Sequence, residues 1–323
     1  MAKKISIIIP VKEVDSFAEE CLRECKKLDY PDFEIILLPD SMPEKEMAGV
    51  KVIATGPVKP SAKRNLGAEK SKADLCAFID SDAYPEKGWL KKAVVYFQDP
   101  SIAAVGGPNL TPPNDPLLSR ISGDILSNPA AAGIFALRYK VRAGRTVKEL
   151  PSCNLIVEKK IFDEIGGFDT SFLTAEDSKL CFEIRKKGRK VFYAEDVRVL
   201  HHRRPLFRKH LRQMWVYGRD KGLLIREFLS FGKLYYFLPS LFLISLISLS
   251  FLSAAFYGNP LGEFSFLALV SISSIYLLTM LLFSIIQNPR YFFLVLSGSV
   301  LTHIFYGLGF IYGLLVYKKG VSA

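Results

Sequence analysis

The feature that most constrains the fold is an apolar run that stops at two carboxylates. Residues 75–79 read Leu-Cys-Ala-Phe-Ile, and Asp80-Ser81-Asp82 follows at once. An unbroken apolar run of this length is typical of a strand covered on both faces, as in a parallel sheet. Ligands of open α/β sheets bind just beyond the carboxyl ends of such strands. The two aspartates therefore predict an oxygen site for Mg²⁺ or Mn²⁺ that is well placed to hold a diphosphate.

Other parts of the first hundred residues have the same organisation. Long apolar strands are predicted at residues 5–11 and 33–38, and a short strand at residues 51–54. Helices are predicted at residues 16–28 and 62–70. Strands that alternate with helices favour a doubly wound, mostly parallel sheet of the Rossmann type. Because the long strands end in proline, aspartate or both, the predicted α/β fold gathers polar groups at one sheet edge.

The following segment is less regular. Residues 99–150 are rich in Pro, Gly and Asn in their first part, and we expect loops with short helices there. Helices are expected again at residues 161–167 and 175–187. Two short strands are expected after them, at residues 190–193 and 197–200.

The composition changes sharply near residue 235. Beyond this point, the sequence has only these charged residues: Glu263, Arg290, Lys318 and Lys319. Three apolar stretches, at about residues 237–257, 264–286 and 291–317, each exceed the roughly 20 residues that cross a bilayer. We expect residues 236–323 to form a membrane domain with about three transmembrane helices. A transporter is disfavoured, because almost no charge lies within these stretches to line a polar pathway.

The net charge of +11 is concentrated just before the first apolar stretch. Between Arg185 and Lys233 there are 15 Lys and Arg against 4 Asp and Glu, an excess equal to that of the whole chain. Basic residues beside a span favour the cytosolic side and contact with membrane lipids that carry anionic headgroups. Nucleic acid is the other partner that such charge serves. No recognition motif accompanies the charge, so we expect no nucleic acid to bind.

The topology follows from these features. Residues 1–235 are expected to be cytosolic in a multi-pass protein of the cell membrane, because no targeting segment precedes Lys3. Residues 205–235 are interpreted as a basic amphipathic segment in the membrane interface, with an ordinary core-facing helix as the alternative. Three spans place Lys318 and Lys319 outside, against the positive-inside tendency. The five cysteines lack metal-ligand spacing, and no disulfides are expected in the cytosol.

A second acidic pair, Glu176-Asp177, stands at the start of a predicted helix. Acidic residues are common there because they interact favourably with the positive end of the helix dipole. A carboxylate beside a metal-bound leaving group is also able to act as a general base. The sequence leaves both explanations open.

Several short sequence motifs, including the first strand, Asp80-Ser81-Asp82 and Glu176-Asp177, occur in a characteristic order. In this order they resemble the motifs of the family 2 glycosyltransferases, which have the GT-A fold. The resemblance covers about residues 4–222 and implies a catalytic domain of residues 1–204. A weaker resemblance of Arg212-Gln213 and Tyr217-Gly218 points to members that extend polysaccharides or lipid-linked glycan precursors. The matching blocks lie at residues 5–11, 30–36, 62–67, 80–82, 165–169, 176–177 and 199–201.

The resemblance implies roles for individual residues. Asp82 would ligate Mg²⁺ or Mn²⁺, Asp80 would contact the ribose or the ion's waters, and His201 is either a further ligand or a hydrogen-bonding group. Lys63 is either a nucleotide contact or a solvated neighbour. The nucleotide-sugar donor would contact Pro10, Val11, Glu13, Asp40, Arg64, Asn65 and Asp80. Arg208, Arg212 and Arg219 are candidate phosphate contacts, with solvated interface positions as the alternative.

The implied chemistry is an inverting displacement. Asp177 is the expected general base for an acceptor hydroxyl, and Glu176 is the second candidate. The acceptor is expected to be a membrane-associated, lipid-linked or polysaccharide glycan. A polyprenyl-phosphate sugar synthase and a non-catalytic membrane subunit are the alternatives. Pro39 stands where the family usually has the first of two adjacent aspartates, so base selectivity stays open.

Overall fold

The computed structural model describes residues 3–228 and 234–317 of the 323-residue chain. It divides into two compact units. The first unit comprises the residues up to Asn114 together with Leu137–His202, and the second comprises Asp115–Ala136 together with the residues from Arg203 onward. The predicted catalytic domain of residues 1–204 includes Asp115–Ala136. In the structure this segment packs within the second unit.

The strands of the first unit form two sheets. In chain order they are β1 (Ile5–Pro10), β2 (Phe33–Leu38), β3 (Lys51–Val52), β4 (Leu75–Phe78), β5 (Ala83–Pro85), β6 (Ile102–Gly106), β7 (Asn109–Leu110), β8 (Arg145–Val147), β9 (Leu155–Glu158), β10 (Lys190–Tyr193) and β11 (Val199–His201). The main sheet has the order β3-β2-β1-β4-β9-β6-β10-β8, and the small sheet has the order β5-β11-β7.

The helices divide between the two units. The first unit contains α1 (Ser16–Cys25), α2 (Pro60–Glu69), α3 (Trp89–Tyr96), α6 (Lys159–Glu164) and α7 (Glu176–Lys186). The second unit contains α4 (Leu117–Ser127), α5 (Pro129–Ala132), α8 (Arg208–Glu227), α9 (Leu234–Ala255), α10 (Pro260–Gln287) and α11 (Phe292–Leu315). Among the described helices, α9, α10 and α11 are long and apolar enough to cross a membrane.

The predicted α/β architecture is confirmed, with a mixed sheet at its centre. Strands β1, β2 and β4 pair in parallel, as the apolar runs predicted. The strand β9, which the sequence analysis missed, runs antiparallel between β4 and β6. Every residue of β1, β4 and β6 is buried, because helices or loops cover both faces of these central strands.

The interpretation of residues 99–150 as loops and short helices was wrong where β6 lies. The glycines that suggested a loop instead allow close backbone packing. A Cβ atom on Gly106 would lie 2.1 Å from the carbonyl oxygen of Asn154, and one on Gly107 would lie 2.1 Å from that of Val197. The strand therefore needs glycine at its carboxyl end for steric reasons that composition does not reveal.

Helix α8 buries one face within the second unit. The buried residues include Leu211, Met214, Leu223 and Leu224. This face therefore fits the alternative prediction of an ordinary core-facing helix. The basic residues Arg208 and Arg212 remain exposed on the other side. The sequence-predicted interface residues 229–233 lie outside the described part of the chain.

Candidate active site

The acidic loop after β4 meets the end of β11. In the small sheet, His201 is paired with Ala83, which follows Asp82 directly. The His201 Nε2 atom lies 3.1 Å from a carboxylate oxygen of Asp82. Asp80, Asp82 and His201 each offer one ligand atom, and these three atoms all lie within 4.8 Å of one another. Two carboxylates and an imidazole at this spacing suit a divalent ion such as Mn²⁺ or Mg²⁺.

His202 fastens this corner to helix α1. Its backbone N–H donates to the carbonyl oxygen of Asp82 at 2.9 Å. Its ring nitrogen Nε2 lies 3.0 Å from a Glu20 carboxylate oxygen. The ring also lies against Phe17 and Tyr84, with centroid distances of 4.6 and 5.6 Å. These contacts hold the strand end that carries His201 against the loop that carries Asp82.

Arg64 joins the metal-side loop to the second acidic pair. Its guanidinium lies 2.6 Å from an Asp80 oxygen and 3.0 Å from a Glu176 oxygen, and its side chain is only 4% exposed. Burial by itself lowers the pKa of Arg64, but the neighbouring carboxylates of Asp80 and Glu176 outweigh burial and raise it. The resemblance implied a nucleotide contact for Arg64. In the structure its terminal nitrogens lie instead on the two carboxylates.

The two members of the second acidic pair have different surroundings. Glu176 is buried, and burial followed by the charge of Asp177 raises its pKa to about 8, with Arg64 opposing the shift. Asp177 is half-buried and accepts hydrogen bonds from the backbone N–H of Ser178 at 2.7 Å and of Ser152 at 3.4 Å. At neutral pH a carboxyl group with the pKa of Glu176 is largely protonated. The arrangement therefore favours Asp177 over Glu176 as a proton acceptor.

The turn before α7 has an unusual backbone. Ala175, which precedes the Glu176-Asp177 pair, has a φ of 71° in the left-handed region. Residues other than glycine rarely adopt this conformation, and those that do often lie at functional sites. The turn presents both carboxylates in the first turn of α7, at its positive end.

The residues predicted to contact the nucleoside lie at the ends of β1 and β2. The ammonium group of Lys63 donates to the carbonyl oxygen of Val11 at 2.5 Å and forms an ion pair with Asp40. Its side chain is only 3% exposed, so the description of Lys63 as a solvated neighbour was wrong. Pro10 ends β1 and is buried, whereas Glu13 lies beyond the strand and is exposed.

Asn65, for which the resemblance implied a nucleotide contact, bonds to the backbone of Phe168. Its side-chain amide donates to the carbonyl oxygen of Phe168 at 2.8 Å and accepts from the N–H of Phe168 at 2.9 Å. Both polar ends of the side chain therefore hold the loop that leads to α7. We therefore expect Asn65 to position that loop.

This geometry predicts that Asn65→Ala lowers the free energy of unfolding by about 1–3 kcal/mol, because two buried backbone groups of Phe168 lose their partners. The KM for the donor should change little. Chemical denaturation and donor titration of the full-length protein test this, with Lys70→Ala at the half-exposed end of α2 as the control. Unchanged stability with a raised KM would restore the donor-contact role.

Arg138 is a further charged residue near the acidic pair that was not predicted from the sequence. Its guanidinium forms an ion pair with Glu149 at 3.3 Å. Burial by itself lowers the pKa of Arg138, while Glu149, Tyr139 and, more weakly, Asp177 raise it. Arg138 therefore contributes positive potential at the proposed base. The surrounding segment had been interpreted as irregular, so the sequence carried no signal for it.

Comparison with known proteins agrees with this geometry. Residues 6–166 match the model of glycosyl transferase family 2. The chain is 24% identical to a Methanococcus voltae dolichyl N-acetyl-alpha-D-glucosaminyl phosphate 3-beta-D-2,3-diacetamido-2,3-dideoxy-beta-D-glucuronosyltransferase, over 76% of this chain and 80% of the relative. It is 26% identical to the glycosyltransferase AglE of Haloferax volcanii, over 67% of this chain and 75% of the relative.

Two further similarities differ in coverage. A pre-mycofactocin glycosyltransferase of Mycobacterium tuberculosis is 29% identical over 49% of this chain, and the match spans 33% of that relative's length. The solved mannosyltransferase PcManGT from Pyrobaculum calidifontis, in complex with GDP-Man and Mn²⁺, superposes with a TM-score of 0.67 at 14% identity. That match covers 98% of this chain and 89% of the other. At this identity the superposition shows a common fold.

Fold and sequence together define the class: this is a glycosyltransferase with a GT-A catalytic unit. The chain belongs to the family 2 glycosyltransferases. The predictions of family, fold and enzyme class are thereby confirmed.

Proposed function

We propose that the protein is an inverting glycosyltransferase that moves a sugar from a nucleotide-sugar donor to a hydroxyl of a lipid-linked glycan. The observation that carries the proposal is that Arg64 joins the candidate metal site, through Asp80, to the Glu176-Asp177 pair, through Glu176. The names of the archaeal relatives support a lipid-linked acceptor, since the Methanococcus voltae enzyme is named for a dolichyl-phosphate-linked sugar.

The donor is proposed to occupy the strand ends of the first unit. Asp40 would accept hydrogen bonds from the nucleoside, and its ion pair with Lys63 would hold the carboxylate in place. Pro10 and Val11 would supply apolar surface, and the exposed Glu13 lies near enough in the chain to border the same pocket. GDP-Man in the PcManGT structure supports a nucleotide-sugar donor in this fold.

Asp82, Asp80 and His201 would hold Mg²⁺ or Mn²⁺. These residues would place a divalent positive charge at the diphosphate, where it would offset the negative charge that grows on the departing nucleotide. The residues fit such an ion because they offer oxygen and imidazole nitrogen atoms within 4.8 Å of one another. The Mn²⁺ in the PcManGT structure supports this assignment.

Asp177 would take the proton from the acceptor hydroxyl as the hydroxyl oxygen attacks the anomeric carbon. The new bond to oxygen forms as the bond to the nucleotide diphosphate breaks, so a single displacement inverts the configuration. The backbone N–H groups of Ser178 and Ser152 orient the carboxylate. The Glu176 carboxyl, which accepts a hydrogen bond from Arg64 at 3.0 Å, would keep α7 aligned with the loop of Asp80.

The buried Glu176 predicts a pH dependence of stability. Its carboxyl has a usual pKa of 4.5 when unfolded and about 8 when folded. Between these values the unfolded chain holds fewer protons, so this residue's contribution to stability is fully present below 4.5 and is lost as the pH rises through 8. Glu176→Gln should therefore lose less stability than the wild type between about pH 5 and pH 8. Thermal unfolding of both proteins across that range tests this, and parallel curves would contradict it.

The catalytic unit is proposed to lie on the cytosolic side of the cell membrane, with the second unit as a multi-pass anchor. The basic residues that precede α9 and the apolar length of α9 and α10 support this orientation. Release of nucleotide from a panel of nucleotide-sugars by the detergent-solubilised protein, with and without Mn²⁺, tests the function. If no donor releases nucleotide in the presence of metal and a lipid-linked acceptor, the proposal fails.

A further inference from the structure

Helix α11 differs from the other two candidate spans in its surroundings. In α9 and α10, only 6% of the most apolar stretch is buried by the rest of the protein, whereas in α11 the share is 39%. The buried side of α11 is rich in small residues, and its exposed side keeps large apolar residues: Phe293, Leu308, Tyr312 and Leu315. One side therefore packs on protein, and the other is left to contact lipid.

The protein that covers α11 is largely the basic helix α8. His210 Nε2 lies 2.9 Å from the hydroxyl of Thr302. Near the ends of both helices, the Arg226 guanidinium contacts the carbonyl oxygen of Tyr317. Residue numbers rise together along the two helices, so α8 runs parallel to α11 over the carboxyl-terminal part of the latter.

Glycines bring the two backbones into direct contact. A Cβ atom on Gly218 would lie 2.1 Å from the carbonyl oxygen of Tyr306, and one on Gly313 would lie 1.8 Å from that of Arg219. Only glycine fits at such a close approach of two helices. The pair must therefore take one position in the membrane together.

The charges of α8 exclude a position across the bilayer. Arg208, Lys209 and Arg212 flank His210 and are exposed. His210 contacts Thr302, which lies close to the middle of α11. If α11 crossed the bilayer, these three charges would face the acyl chains near its centre, where ionised side chains are strongly disfavoured. At the membrane surface the same charges would lie among the headgroups.

The two ends of α11 also contact segments that adjoin the catalytic unit in the chain. Asn288, just before α11, donates to Asp124 of α4 at 2.7 Å. Helix α4 belongs to Asp115–Ala136, which leaves the first unit and returns to it, so both ends of that segment lie on the catalytic side. At the other end of α11, Tyr317 contacts Arg226, which lies eight residues before the start of α9. If α9 and α10 both cross, α9 starts on the side where α10 ends, and the end of α10 contacts Asp124 and Ser127 on the catalytic side. A crossing helix would carry one of its ends to the opposite side.

We propose that α8 and α11 lie together in the plane of the membrane surface, on the catalytic side, and that only α9 and α10 cross the bilayer. The partner of this helix pair is a bilayer with anionic headgroups. The apolar side of α11 enters the boundary between headgroups and acyl chains, and the basic side of α8 meets lipid phosphates. This topology replaces the expectation of three spans. It also puts Lys318 and Lys319, outside the described residues, on the side that the positive-inside tendency favours.

Cysteine labelling tests the topology in the full-length protein. The five native cysteines are buried, so single cysteines can be added at Ser322, at the exposed Tyr257 between α9 and α10, and at the exposed Lys72 of the catalytic unit. A membrane-impermeant maleimide is applied to vesicles of both orientations. Ser322→Cys and Lys72→Cys should react from the same side, and Tyr257→Cys from the opposite side. Reaction of Ser322→Cys from the side of Tyr257→Cys overturns the proposal, as does reaction of all three from one side.

A depth measurement provides a second, independent test. Nitroxide labels are placed at the exposed Phe293, Leu308 and Leu315 of α11, and at the exposed Leu267 of α10 as the matched control. The Tyr276 hydroxyl of α10 lies 2.9 Å from Nδ1 of His303 in α11, and Leu267 is nine residues farther along α10, or about 13 Å deeper if α10 crosses the bilayer. The protein is reconstituted in liposomes of zwitterionic and anionic phospholipid. The three α11 labels should share one shallow depth by collision with oxygen and a water-soluble nickel complex, while the Leu267 label is deep. A Leu308 label as deep as the Leu267 label, with shallow labels at Phe293 and Leu315, overturns the proposal.

Discussion

Asp82→Asn is expected to abolish metal-dependent donor binding and sugar transfer together. The change removes the negative charge of a proposed metal ligand and leaves an amide whose oxygen binds divalent ions weakly. His201, 3.1 Å from the Asp82 carboxylate, also loses the carboxylate that it contacts. Calorimetric titration of donor in the presence of Mn²⁺ and a turnover assay on the same preparation measure the two effects.

Asp29→Asn serves as the matched control for this change. Asp29 lies in the same unit and is 59% exposed in a surface ion pair with Lys91, where such pairs contribute little. The control should bind donor and turn over as the wild type does. Normal binding and turnover in Asp82→Asn would contradict the proposed metal site, and most of the proposed mechanism would have to be abandoned with it.

Asp177→Asn is expected to separate binding from chemistry. Turnover should fall about 10²–10⁴-fold, the usual effect of losing a general base, while donor affinity stays near that of the wild type. The amide keeps the shape of the carboxylate but is unable to accept the acceptor's proton. The metal ligands and the Arg64 bridge to Asp80 and Glu176 remain in place. Parallel titration and turnover measurements test the prediction.

The companion variant Glu176→Gln decides which carboxylate is the base. If Asp177 is the base, Glu176→Gln should retain more turnover than Asp177→Asn at neutral pH, because the wild-type Glu176 is already largely protonated there. Wild-type turnover in Asp177→Asn would transfer the role to Glu176. Loss of donor binding in Asp177→Asn would instead mean that Asp177 contributes to the donor pocket.

The parts of the catalytic unit that depend on local pattern could be predicted. The strands β1, β2 and β4 follow from unbroken apolar runs, because such runs are buried wherever a parallel sheet places them. The Asp80-Ser81-Asp82 motif marks a strand end, and Glu176-Asp177 marks a helix start. The motif order also led to the correct family, since it spans the matched residues 6–166 and continues beyond them.

Other parts could not be predicted, because their partners are distant in the chain. Asn65 is fastened to Phe168, 103 residues away, and Lys63 to Val11, 52 residues away. From sequence alone, each is a polar residue on a helix with no indication of its partner. The same holds for β6. In the sequence its glycines are typical of a loop, and only the structure shows the neighbouring backbone that comes too close to them for any larger residue.

The sequence by itself determined the catalytic class, the candidate metal and base residues, and the presence of long apolar helices. These depend on residue type and on periodicities of a few residues. Tertiary structure decided which carboxylate of the Glu176-Asp177 pair is buried, where Arg64 directs its charge, and what covers α11. Burial, ion pairing and helix packing are set by groups that meet only when distant segments fold together, so local pattern carries no record of them.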